Sequence, residues 1–172
     1  MPTATHVPEQ PALSPWLRIA AAFLPVAATA FLGSVSTREN IPLWYEGLNK
    51  PVFNPPNWLF PVAWTLLYTM IAVALWRLLG AKPRTGPSQQ GWWLAIAVFL
   101  VQIALNAAWS PVFFSAHAIG AALVVVAALL VMVLWTIRLT WRFDRLAAWL
   151  LVPYAAWVGF ATILNAAILR LN

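Results

Sequence analysis

The sequence predicts an all-α membrane protein, a bundle of five transmembrane helices. Three observations carry that expectation. Hydrophobic residues make up 63% of the 172 positions and charged residues only 8%, whereas a soluble domain carries about 25% charged residues. The apolar residues fall into five runs, and a run of roughly 20 is what an α-helix needs to cross a bilayer. The ten Lys and Arg residues sit at or near the ends of those runs, where they meet lipid headgroups and set topology.

Residues 1–15 are polar and proline-bearing, without periodicity, and are expected to form a flexible tail. The first span is expected over residues 16–36. A cleaved leader is the rival reading, because Ala28-Thr29-Ala30 resembles a cleavage site. Only Arg18 precedes the apolar run as a positive charge, a poor start for a leader, which favours a retained helix. Residues 37–56 form a long polar connection containing Trp44, Tyr45, Asn49, Lys50, Pro51, Pro55 and Pro56. A connection of this length is usually functional or disordered, and its aromatics and prolines argue against simple disorder.

The second span is expected over residues 57–79, followed by a basic loop with Lys82 and Arg84. The third covers residues 92–114. Only four residues separate it from the fourth, over 119–140, so these two must be antiparallel neighbours. A short basic turn leads to the fifth span, over 146–171. The N-terminus and the second and fourth connections carry Arg18, Arg77, Lys82, Arg84, Arg138, Arg142 and Arg145, against Arg38, Lys50 and Arg170 on the opposite side. This bias places the N-terminus in the cytoplasm and the long first connection outside, as expected for a multi-pass protein of a bacterial cell membrane.

The net charge of +6 is spread along headgroup positions, not gathered into a basic face interleaved with aromatics, so no nucleic-acid partner is expected. The chain has no cysteine, which excludes disulfides and thiolate chemistry. Its acids Glu9, Glu39, Glu46 and Asp144, and its histidines His6 and His117, all lie outside the spans. Ion-coupled carriers place a titratable relay inside the bundle, and general acid–base catalysis needs positioned titratable groups; neither has its residues here. No cluster of metal ligands is present, and His117 reads as a solvated turn residue.

The spans do contain uncharged polar and aromatic residues at helical spacing. Gln102, Asn106, Trp109 and Phe113 share one face of the third span, Trp64 and Tyr68 one face of the second, and Tyr154, Trp157, Ala161 and Asn165 one face of the fifth. Amides in lipid need partners, so these faces point inward. Two readings stand. The amides are interhelical glue and the rings plain packing, or the stripes line a pocket. Rise per residue makes the stripes converge in the outer half, below the long connection. An aromatic pocket with a few amides is the usual form of a small-molecule site, and flat rings suit a flat apolar ligand.

The stretch Trp44-Tyr45-Glu46-Gly47-Leu48-Asn49-Lys50-Pro51, then Pro55-Pro56, Phe60-Pro61 and Trp64, resembles the TspO/MBR family, the tryptophan-rich sensory proteins related to the mitochondrial translocator protein or peripheral-type benzodiazepine receptor. Gln102 through Phe114, with Leu105-Asn106 and Trp109-Ser110-Pro111, strengthens the match, as do Pro153-Tyr154-Ala155-Ala156-Trp157 and Ala161-Thr162-Ile163-Leu164-Asn165. The resemblance runs over roughly residues 25–170. It implies a five-helix bundle, commonly dimeric, that binds porphyrins such as protoporphyrin or haem as ligands, and sterol- or benzodiazepine-type molecules. No resident cofactor is required.

Read with the residue stripes, the resemblance gives ligand-binding residues Tyr45, Trp64, Tyr68, Gln102, Asn106, Trp109, Trp157, Ala161 and Leu164. Trp44, Asn49, Lys50, Pro51, Pro55 and Pro56 would shape a lid. The family has also been proposed to degrade porphyrin in light, in which case Trp64 and Trp157 are the reacting groups; facilitated porphyrin or sterol passage is a third reading. Two departures stand out. Ala166-Ala167 follow Leu164-Asn165 where mammalian members place a tyrosine of a sterol motif, and Phe53 replaces a frequent tryptophan. Ala97, Ala104 and Ala108 lie along one face of the third span, offset from the amide face. Small residues let backbones approach closely, so this face forms a homodimer interface or packs on a neighbour in the same chain.

Overall fold

A computed structural model describes residues 14–83 and 87–172. The tail expected over residues 1–15 lies outside the described residues except for its last two positions. Among the described residues there is no strand, and five helical segments are long and apolar enough to cross a membrane.

Helix α1 runs Pro15–Arg38, and Ser14 caps it by accepting from the Leu17 N–H at 3.3 Å. Pro at the first helical position costs no hydrogen bond, because that N–H would be unpaired anyway. The long connection expected after it is more ordered than a loop. Helix α1 overruns to Arg38, a single turn α2 follows over Asn40–Leu43, and a 3-10 turn spans Tyr45–Gly47. Side-chain bonds explain the extension: Ser36, Thr37 and Asn40 each donate to the carbonyl four residues back, at 2.9 Å.

Helix α3 spans Leu59–Gly80 and α4 spans Pro87–Ser110. Pro111 lacks an N–H and cannot continue the four-residue ladder. The chain widens there into a π-helical turn, Pro111–Ser115, closed by the Ala116 N–H on the Pro111 carbonyl at 2.9 Å. Helix α5 covers Ile119–Thr140.

The fifth span is not one continuous helix. It is divided into α6, Arg145–Leu150, and α7, Val152–Leu171, with Leu151 between them. Pro153, one position into α7, has no N–H to give the Trp149 carbonyl, so the ladder breaks. Asp144 caps α6 through the Ala147 N–H at 2.9 Å and grips Arg77 of α3 with both oxygens, at 3.2 and 2.8 Å.

The break matters for the arrangement. Helix α6 packs on α3, whereas α7 turns away to pack on α5. Helix α4 lies between α1 and α5, and α1 also packs on α3. The main core sits low in this ring, built on Trp92, Phe99, Leu75, Leu151 and Tyr154. A second cluster of Tyr45, Phe113, Phe114, Leu164 and Ile168 closes the lid end. Between them, where α7 leaves α3, the bundle is hollow.

Candidate functional site: an aromatic cavity beneath the lid

The hollow is a cavity of about 450 Å³, within the roughly 300–1,000 Å³ of small-molecule sites. Helix α3 supplies Phe60, Trp64 and Tyr68; α4 supplies Trp109 and Ser110; the π turn supplies Phe113 and Phe114. Helix α7 contributes Trp157, Phe160, Ala161 and Leu164, and the lid contributes Tyr45 and Ile41.

The rings brace one another. Trp64 stacks on Tyr68 with centroids 5.0 Å apart, and its edge meets Tyr154. Trp157 meets Phe60 in a T-shaped contact at 6.1 Å, which spans the gap between α7 and α3. Trp109 stacks on Phe113 at 5.3 Å. Its indole N–H donates to Asn165 Oδ1 at 3.2 Å, and Asn165 in turn donates to the Ile119 carbonyl at 3.0 Å. One amide thereby ties α4, α7 and α5 together at the cavity wall. Such offset and edge-on pairs are worth about 0.5–1.5 kcal/mol beyond burial.

The lid is fastened on two sides. Tyr45 is buried, donates its phenol to Asn54 Oδ1 at 2.8 Å, and carries the Lys50 ammonium 4.9 Å above its ring. Burial pushes the Tyr45 phenol up, against the lowering effect of the Asn54 bond. Lys50 also donates to the Glu46 and Leu48 carbonyls, holding the 3-10 turn closed. Pro51 and Pro56 accept from the N–H groups of Asn54 and Leu59, framing two turns, and Asn54 Nδ2 donates to the Pro55 carbonyl. Asn49 exchanges bonds with Asn172 at 3.0 Å in both directions and reaches the Leu171 carbonyl. On the far side Trp44 stacks on the exposed His117 ring at 4.3 Å, and His117 Nε2 shares a bond with Asn40.

Two residues expected in the pocket lie below it. Asn106 joins the phenols of Tyr68 and Tyr154, accepting at 3.2 Å and donating at 2.7 Å. Gln102, one turn deeper, is 1% exposed and borders a separate small cavity. The reason is depth: Tyr68 lies across the helix interface and separates the amides from the main cavity. The alanines of the third span, Ala97, Ala104 and Ala108, are exposed on the outside of α4.

Helix α1 lines the cavity in a way the sequence reading missed. Ala30, Gly33, Ser34 and Thr37 border it. These small residues recur every three or four positions, which is a signal, but without aromatics or amides it does not separate a wall from a packing face. A Cβ on Gly33 would stand 3.5 Å from Ser110 Oγ and 4.0 Å from the Tyr68 hydroxyl, in ordinary contact with α4 and α3. Phe60, Phe114 and Phe160 were likewise missed, being ordinary apolar positions in sequence. No group of three His, Asp or Glu side chains suited to a metal occurs among the described residues.

Comparison with known proteins places the chain in a family. The family model described as "TspO/MBR family" matches residues 21–171. The chain is 39% identical over 159 residues to the tryptophan-rich protein TspO of Archaeoglobus fulgidus, covering 91% of this chain and 97% of that one. It is 41% identical over 132 residues to the tryptophan-rich sensory protein of Cereibacter sphaeroides, covering 75% and 77%. With the human translocator protein it shares 32% identity over 166 residues, 92% of each chain. The chain is a multi-pass membrane protein and belongs to the TspO/MBR family.

Proposed function

We propose that the chain is a membrane receptor or sensor that takes flat, largely apolar ligands, porphyrins such as protoporphyrin or haem foremost, in the cavity beneath the lid. The observation that supports this reading is the cavity wall itself: Trp64, Trp109 and Trp157 surround a space of about 450 Å³ lined mostly by rings and apolar side chains. Stacking on such faces is the recognition mode, since no histidine lies within the spanning helices to serve as an axial ligand to iron. Sterol- or benzodiazepine-type molecules meet the same requirement for a flat apolar body. The relatives' names, a sensory protein in one case and a translocator protein in another, agree with a binding role. The basic residues gathered at the end opposite the lid support a cytoplasmic N-terminus in a bacterial cell membrane.

Titrating purified protein with protoporphyrin, in darkness and in light, tests the proposal. Saturable quenching of tryptophan emission with the porphyrin left intact is the expected result. Porphyrin lost only in light would instead favour catalysis by Trp64 and Trp157, whose rings flank the cavity. Flux into protein-bearing vesicles would favour passage. Absence of saturable binding would overturn the reading.

A further inference from the structure

We propose that Gln102 holds a single buried water, which joins its amide to the Tyr154 phenol under the cavity floor and makes Gln102 a positioning residue for Tyr154. Gln102 is 1% exposed, and neither its Oε1 nor its Nε2 has a protein partner. A buried amide without partners is costly, so its surroundings decide what satisfies it. Its side chain borders a cavity of about 10 Å³ shared with Thr29, Tyr68, Asn106 and Tyr154. That is the lower end of the roughly 10–15 Å³ a site needs to hold one water, and leaves no room for a second.

Hydrogen-bond bookkeeping points to the same occupant. Asn106 offers one oxygen and one amino group to two phenols, Tyr68 and Tyr154. Its oxygen can take the proton of one phenol. Tyr154, facing its amino group, accepts and therefore keeps a proton with no acceptor among the described residues. Turning the amide over exchanges the two phenols but leaves one proton over in either case. A water accepts that proton and one from Gln102 Nε2, and donates to Gln102 Oε1 and to Thr29 Oγ1. The Thr29 hydroxyl spends its own proton on the Pro25 carbonyl at 2.9 Å and is free to accept. The occupant must both donate and accept, and must be neutral, because no charged side chain borders the cavity. Water meets all three conditions of size, charge and bonding. The bridge holds the Tyr154 ring, which Trp64 meets edge-on at the cavity floor.

A crystal structure of the ligand-free wild type, at a resolution that shows ordered water, tests this without reference to any ligand. One water within about 3.2 Å of the Gln102 amide is expected. Gln102→Met, similar in length but apolar, should lose that water and lower Tm by a few degrees. With 3-fluorotyrosine at position 154, Gln102→Met should shift the fluorine resonance, whereas Leu100→Val, exposed on the outer side of the same helix, should not. No density at Gln102 in the wild type, a raised Tm in Gln102→Met, or an unmoved resonance would each overturn the assignment. Should Gln102→Met fail to fold, the wild-type density decides alone.

Discussion

Asp144 shows how one residue does two jobs at the basic end of the bundle. It caps α6 and pairs with Arg77 of α3, a contact between the segments whose divergence opens the cavity. Burial pushes its carboxyl up, but the N–H groups of Ala147 and Leu146 and the bond and charge of Arg77 outweigh that and hold it below the ordinary 3.8. A pKa lowered on folding gives stability that is complete above the unfolded value and lost as pH falls through the folded one. Asp144→Asn keeps a capping oxygen and removes only the charge. With Arg77 about one-third exposed, the pair is worth about 1 kcal/mol at most. Thermal unfolding in detergent should therefore show the wild type a few degrees above Asp144→Asn at pH 7, with the gap closing below pH 3.8. A gap independent of pH would show that the charge contributes nothing. The same scale explains what the sequence concealed: Asp144 reads as a loop acid and Gln102 as a pocket residue, because neither partner nor depth is written locally.

At the scale of elements, the helices were legible because charge exclusion marks their ends; the fourth span, Ile119–Thr140, begins and ends where its apolar run does. The interruptions were not. Pro111 and Pro153 are visible in sequence, but whether a proline kinks a helix, widens it or ends it depends on the groups that take up the freed carbonyls. The lid shows the same limit. Its turns are single and closed by local bonds without an apolar period, so they read as loop, and their distant fastening, from Asn49 to Asn172 across 123 positions, is invisible locally. Those bonds make the last turn of α7 a clasp for the lid. Asn172→Ala removes the side chain that both accepts from and donates to the Asn49 backbone. Amide hydrogen exchange at residues 45–50 should then quicken by about tenfold, the equivalent of roughly 1.4 kcal/mol, with the transmembrane helices unaffected. Unchanged exchange would mean that Lys50 and Tyr45 hold the lid without the clasp.

For the whole molecule, the outward face of α4 is the surface to test for self-association. Ala97, Ala104 and Ala108 are exposed on it, which excludes packing against a neighbour in the same chain and leaves lipid or a second copy to cover them. Ala104→Leu should shift the monomer–dimer balance in detergent toward monomer if a second copy does; an unchanged balance would assign the face to lipid. The cavity is likewise a property of the whole bundle, since five helices and the lid contribute to its wall. Its α3, α4 and α7 stripes were legible as inward faces, because aromatics and amides at helical spacing must turn away from lipid. The α1 wall was not, since small residues pack equally well against a helix or around a space.

The most direct measurement compares protoporphyrin affinity across three tryptophan variants in darkness. Trp64 and Trp157 line the cavity, whereas Trp141 lies in the turn at the opposite end beside Trp149. Stacking of a flat ring on one aromatic side chain is worth about 1–3 kcal/mol by alanine substitution, or roughly tenfold in Kd and upward for each change. Trp64→Ala and Trp157→Ala should each weaken binding by at least that factor, and Trp141→Ala should leave it within about twofold. If the two cavity variants fold normally and bind protoporphyrin as tightly as the wild type, the rings beneath the lid serve packing alone and the ligand sits elsewhere.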